Sequence, residues 1–220
     1  MTIKGPRFME APQNPNFSFK IFKPTKGFTF TIRRFQGFSS FRNEKSSLKI
    51  VVISSLTPII SDNEVVNVNV GECYITNRQE VVSTLVGSCI AVIIHESKLK
   101  IGGLAHILLP QHKPKLSNQA CKYAATAIPH LISEVEKRGG RKSNMVSAII
   151  GGSQLLNLGA NGFSVGKRNV EVALSVLSSM GIPVVAQDVG GVYGRSVMYD
   201  ASQGTIYVKY TSSTNIIKKP

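Results

Sequence analysis

An α+β fold, a layered sandwich of two β-sheets with helices packed on the outside, is what three features of the sequence predict. Segments with strand character outnumber helical ones, and most come as neighbours joined by short polar breaks, the pattern of hairpins. Only two stretches, 118–135 and 165–180, carry apolar residues at the three- and four-residue spacing of a helix with one buried face. The chain has 220 residues and is 42% apolar, enough to build the core of one domain of ordinary size.

Residues 1–62 stand apart in composition. They hold ten Lys/Arg against Glu10, Glu44 and Asp62, and nine of the ten phenylalanines, from Phe8 to Phe41. The segments 17–22 and 28–35 alternate like strands, but Pro12, Pro15, Pro24 and scattered Gly and Ser interrupt them. We expect a basic, Phe-rich, poorly ordered extension here, with 50–53 as a candidate added edge strand. Basic residues interleaved with aromatics can hold single-stranded nucleic acid or an anionic surface. Composition alone supports that, so nucleic acid is not an expected partner. The leader lacks the charged-then-apolar opening of a secretory signal. The domain proper is expected over 63–212, with a tail over 213–220.

The alternation Val66, Val68, Val70 reads as a half-buried first strand. Gly71 and Asn77-Arg78 supply turns before the strand that runs into Thr84. Ile90–Ile94 is almost purely apolar and rich in β-branched residues, which reads as a buried strand. The stretch 100–109 is a second strand, ended by Pro110, which cannot continue a ladder. A polar loop over 111–117 leads to the first helix, capped by Ser117 or Asn118 and ended by Gly139-Gly140. Pro129 sits inside it and should kink it. The stretch 145–150 is a buried strand running into Gly151-Gly152, whose glycines suggest close backbone approach; no phosphate-loop lysine follows. The second helix, over 165–180, closes at Gly181; Arg168 and Asn169 near its start could bind an anion, but capping or solvation is the favoured reading. A strand over 183–186 and a hairpin pairing 195–199 with 205–210 complete the domain.

The chemistry centres on Cys89 and His106. With an even loop centred between Ser97 and Lys98, Ile94 faces Ile101 and Cys89 faces His106. Directly opposed residues have Cβ atoms about 4.5–5.5 Å apart, the separation a cysteine nucleophile and its base require. An imidazolium at that distance would favour the thiolate. Gly87 permits a tight bend before Ser88 and Cys89, so backbone N–H groups there could face a developing oxyanion. The competing reading is structural: a free cysteine opening an apolar strand is commonly a core residue, and so is a lone strand histidine. On spacing alone the two readings are even.

The stretches T-L-V-G-S-C-I-A-V (84–92) and I-G-G-L-A-H-I-L-L-P (101–110) resemble the chemoreceptor glutamine deamidases, the CheD family of bacterial and archaeal chemotaxis. The resemblance continues in order through K-Y-A-A-T-A-I-P (122–129), G-G-S (151–153), V-G-K-R-N-V (165–170) and Q-D-V-G-G-V-Y-G-R (187–195), covering 65–210. It implies that Cys89 and His106 are catalytic, with an assisting hydroxyl at Thr84 or Ser83, and that the fold is shared with cysteine-dependent toxin deamidases. It implies as substrate a glutamine in the cytoplasmic helical bundle of a chemoreceptor, converted to glutamate through a thioester, or a receptor's glutamyl methyl ester. It implies a possible second partner, a CheC-type response-regulator phosphatase. Ala125, Gln187 and Val192 depart from the residues usual at those places.

Other chemistries have no support. No stretch of eighteen apolar residues could span a bilayer, so membrane insertion is not expected. Cys73, Cys89 and Cys121 are odd in number and widely spaced, a poor disulfide framework that suits a reducing cytoplasm. The four histidines show no metal-ligand spacing, and neither a metal nor an organic cofactor is expected.

Overall fold

The computed structural model describes residues 48–110, 120–154 and 165–211, together with the main chain of two strands between residues 30 and 43. In chain order the elements are β1 (Phe30–Phe35), β2 (Phe38–Asn43), β3 (Lys49–Val52), α1 (Thr57–Ser61), β4 (Glu64–Asn67), β5 (Cys73–Thr76), β6 (Glu80–Val86), β7 (Ile90–Glu96), β8 (Ile101–Ile107), α2 (Ala124–Lys137), β9 (Met145–Gly151), α3 (Val165–Ser179), β10 (Val184–Val189), β11 (Gly194–Asp200) and β12 (Thr205–Thr211). They form two mixed sheets, ordered β1-β2-β3-β12-β11-β6-β4 and β10-β9-β7-β8-β5.

Two apolar layers explain the architecture. Val82 and Val86 of β6, with Val197, Tyr199, Ile206 and Val208, meet Ala91, Ile93, Leu104, Ala148 and Ile150 from the second sheet. The opposite face of that sheet carries Ile90, Val92, Ile94, Ala105 and Ile107 against Ile128, Leu131 and Ile132 of α2 and Val172, Ala173 and Leu177 of α3. Sheet, sheet and helices therefore stack as three layers, which bears out the expected α+β sandwich. Strand β7 lies at the centre of the middle layer and every residue of it is buried. Its near-continuous apolar run is the signature of that position: both faces need apolar side chains, so no alternation survives.

Helix α2 begins at Ala124 after a 3-10 turn over Ala120–Lys122. The expected caps Ser117 and Asn118, like the loop 111–117 and the tail 213–220, lie outside the described residues. The helix continues through Pro129 and stops where Gly139 takes a left-handed φ of 91°, a conformation that spares glycine the Cβ clash.

The boundary expected at residue 63 moves toward the N-terminus. Leu48, Ile50 and Ile53 are 1%, 3% and 4% exposed. Strand β3 pairs in parallel with β12, Ile50 opposite Ile206 and Val52 opposite Val208. Without β3 the β12 edge would present unpaired backbone groups, an opening that sheets otherwise cover. On the far side β2 pairs with β3, and β1 with β2. The segment 17–22 lies outside the described residues.

The cysteine reading also needs correction. Cys73 and Cys121 form a disulfide across a sequence separation of 48, leaving Cys89 as the free thiol. Cys73 opens β5 and Cys121 lies in the 3-10 turn before α2. Only the packing of α2 over the β5–β8 edge brings them together, so spacing along the chain gave no sign of it.

Candidate active site

The hairpin that carries the histidine turns one residue further along the chain than expected, between Lys98 and Leu99, with Glu96 rather than Ile94 opposite Ile101. Ala91, not Cys89, stands opposite His106, and Ile90 opposite Ile107. Two features shape the turn. Lys100 adopts a left-handed φ of 56°, and the Leu99 N–H donates to the Glu96 carboxylate at 2.6 Å, which holds four residues out of the ladder. The slip is two residues, so the alternation of faces is preserved. Cys89, two positions before Ala91, still packs into the layer between the sheets, diagonal to His106 rather than facing it.

The first sheet supplies the histidine's partner. Thr84 Oγ1 lies 2.7 Å from His106 Nδ1 and 2.8 Å from the carbonyl oxygen of Val68. The carbonyl can only accept, so the threonine O–H donates to it, and the hydroxyl oxygen accepts from Nδ1–H. Nδ1 therefore carries the ring proton, and Nε2 carries the lone pair. Nε2 is buried with no hydrogen-bond partner among the described residues. An imidazole with one nitrogen anchored and the other bare is arranged to accept a proton there. The main chain of His106 is held as well: its N–H donates to Glu72 O at 3.0 Å, and its carbonyl accepts from Gly71 N–H at 2.9 Å.

Of the two hydroxyls that the sequence left open, the structure brings Thr84 to the histidine. Thr84 shares the inward face of β6 with Val82 and Val86; Ser83 alternates to the other face, opposite Met198 of β11.

The bend Gly87-Ser88-Cys89 is fixed by its carbonyls. Gly87 O accepts from Ser153 N–H at 2.8 Å and Cys89 O from Gly152 N–H at 2.7 Å. Ser88 O accepts from Asn169 Nδ2 at 3.3 Å. In a trans peptide the N–H points opposite its carbonyl, so the N–H groups of Ser88 and Cys89 turn away from β9 and α3. The approach is close enough to demand glycine at residue 151: a Cβ there would lie 2.5 Å from Cys89 O, and its φ is 108°.

Burial sets the protonation states. It pushes the Cys89 thiol up, against a smaller opposing effect of its own backbone N–H. It pushes His106 down, partly opposed by the Val68 carbonyl and by Glu72. The resting pair is thus a thiol beside a neutral imidazole, not the thiolate and imidazolium that the residue types suggest in isolation.

Behind the glycines lies an ion pair, its arginine buried and its aspartate half-buried, that sequence reading did not find. Arg195 Nη2 donates to Asp188 Oδ1 at 2.8 Å and Nη1 to Ser153 Oγ at 2.6 Å, while Tyr210 donates to Asp188 Oδ2 at 2.9 Å. It ties β10, β11 and β12 to the residue whose N–H holds Gly87. Asn169, read as capping or solvated, is instead fully buried. Its spacing to Val172 and Ala173 places it on the apolar stripe of α3, a signal the sequence did contain. Among the described residues no cluster of His, Cys, Asp and Glu could hold a metal ion, and no helix is long and apolar enough to cross a membrane.

A family model described as CheD chemotactic sensory transduction matches residues 108–210. A protein of Methanococcus maripaludis named "Probable chemoreceptor glutamine deamidase CheD" is 33% identical over 153 residues, 70% of this chain and 99% of its own length. Proteins of the same name from Saccharophagus degradans and Sulfurimonas denitrificans are each 35% identical, over 68% and 65% of this chain and 72% and 92% of their own. Among solved structures, the crystal structure of the Bacillus licheniformis hypothetical protein YfiH aligns with 57% of this chain and 59% of its own at a TM-score of 0.34 and 11% identity, a likeness that carries no argument.

Proposed function

The chain belongs to the CheD family, and we propose that it hydrolyses glutamine side chains of chemoreceptors to glutamate, with Cys89 as nucleophile and His106 as base. The single observation that carries the site reading is the bare Nε2 of His106. Its other nitrogen is committed to Thr84, and it lies in the same layer as the free thiol.

The reaction follows from these groups. Cys89 Sγ attacks the carboxamide carbon as Nε2 takes the thiol proton. Because the resting pair is neutral, proton transfer accompanies attack rather than preceding it. The oxyanion is met by the N–H groups of Ser88 and Cys89, which the carbonyl anchoring of Gly87 and Ser88 turns outward. Nε2–H then protonates the nitrogen, the C–N bond breaks, and ammonia leaves a thioester. Water, deprotonated by Nε2, attacks the thioester carbon, the C–S bond breaks, and the thiol recovers its proton as glutamate departs. Thr84 holds the imidazole in the required tautomer throughout. The Sγ–Nε2 hydrogen bond absent at rest closes in the substrate complex, as catalytic contacts in free enzymes commonly do.

The same sequence applied to a glutamyl methyl ester would release methanol. The partner is the receptor's cytoplasmic helical bundle, reached from the cytoplasm. A docking role on a CheC-type phosphatase is compatible with this site but needs neither Cys89 nor His106. Ammonia release from a glutamine-bearing receptor fragment tests the reading. The wild type should release it, and Cys89→Ala and His106→Ala should not; release by Cys89→Ala at the wild-type rate would overturn the assignment.

A further inference from the structure

Asn169 joins the cysteine bend to the histidine strand. Its side chain is fully buried on α3, and its amide hydrogens go to two main-chain carbonyls. Nδ2 donates to Ser88 O at 3.3 Å and to Leu108 O at 3.0 Å. The first carbonyl belongs to the peptide that carries the Cys89 N–H, and the second lies two residues beyond His106. Two carbonyl acceptors fix which way the amide points. Oδ1 is left buried without a hydrogen-bond partner among the described residues. A buried unpaired acceptor costs stability that an apolar side chain would not, so this position serves something other than the core. The helix beneath it has little room to shift. A Cβ on Gly166 would lie 2.5 Å from Gly152 O, and the Gly152 N–H holds Cys89 O at 2.7 Å.

We propose that Asn169 is a positioning residue for deamidation, setting through Ser88 O and Leu108 O the separation between Cys89 Sγ and His106 Nε2. The proposal rests on the reading of Cys89 and His106 as nucleophile and base. Displacement of a reacting group by about 1 Å can cost about 10²-fold in rate.

The test uses Asn169→Leu, Asn169→Asp and, as a control for general destabilisation, Leu177→Ala, a buried change eight residues further along α3. In ammonia release from the receptor fragment, kcat should fall about 10- to 100-fold in both Asn169 variants, with KM within about twofold. Leu177→Ala should keep its kcat. A kcat loss in Leu177→Ala equal to that of Asn169→Leu at equal Tm loss would overturn the proposal. A second measurement needs no substrate: alkylation of Cys89 by iodoacetamide in the oxidised protein. His106→Ala should slow it, Asn169→Leu should slow it similarly, and the double variant should be no slower than His106→Ala. Wild-type alkylation in folded Asn169→Leu, full additivity in the double variant, or failure of both Asn169 variants to fold would each overturn it. If the wild type alkylates in a His106-dependent way yet releases no ammonia, the substrate reading fails while the alkylation data still decide the role of Asn169.

Discussion

Thr84 and His106 meet across the two sheets, Oγ1 2.7 Å from Nδ1, with the threonine proton already given to Val68 O. One hydroxyl thereby fixes a tautomer, and the tautomer decides which ring nitrogen keeps its lone pair free.

Thr84→Val should therefore be far more damaging than Ser83→Ala. Valine keeps the shape but leaves Nδ1–H without its acceptor. Deamidation should fall by about 10- to 100-fold, part of the about 10²–10⁴-fold that a positioned general base contributes. Stability should fall by about 1–3 kcal/mol from the buried groups left unpaired. Ser83→Ala should keep near wild-type activity. Steady-state ammonia release and urea unfolding of the two variants check this; equal activity losses would remove Thr84 from the site.

Stability should decline between pH 6.5 and about 4. His95 is 1% exposed, and burial lowers it from 6.5 to about 4, opposed by Glu96 and Asp200. The Tyr199 hydroxyl sits 2.8 Å from its Nδ1. A folded pKa below the unfolded one means that the unfolded chain binds the proton more readily. The stabilisation is then complete above 6.5 and drains as pH falls toward 4. The loss should reach about 3 kcal/mol, and His106 adds to it in the same direction. Urea midpoints against pH should show this slope, and His95→Gln should flatten it.

Thiol titration of the unfolded, unreduced protein should find one reactive cysteine, and three after reduction. Cys73 and Cys121 close a loop over a separation of 48 residues, for which the chain-entropy relation gives about 4 kcal/mol. Cys73→Ser/Cys121→Ser should unfold at lower urea by about 2–4 kcal/mol while keeping deamidation at moderate temperature, since Cys89 is untouched.

Truncation should divide the N-terminal segment. A chain starting at residue 45 should fold, because β3 remains on β12. A chain starting at residue 63 loses Leu48, Ile50 and Ile53 from the core, each side chain worth about 1.5–3 kcal/mol on burial. It should be insoluble or destabilised by about 5 kcal/mol or more, measured by thermal melting of the two forms.

The sequence by itself determined most of the element types and singled out Cys89 and His106 as the candidate pair. The apolar run of β7 and the three- and four-residue spacing of α2 and α3 are local patterns, written by which faces must be buried. Face alternation is also local, so the shift that put Ala91 rather than Cys89 opposite His106 did not turn either residue out of the inter-sheet layer. Four relationships were not local. Strand β3 joins β12 across some 150 residues, Cys73 meets Cys121 under α2, Thr84 reaches His106 from the other sheet, and Asn169 spans Ser88 and Leu108 from a helix. Periodicity states that a side chain is buried, not what it is buried against. For an apolar residue that omission matters little, because dispersion and the hydrophobic effect are indifferent to the partner's identity. For a hydroxyl, an amide or a thiol the partner is the chemistry, and only the packing of sheet on sheet and helix on sheet supplied it.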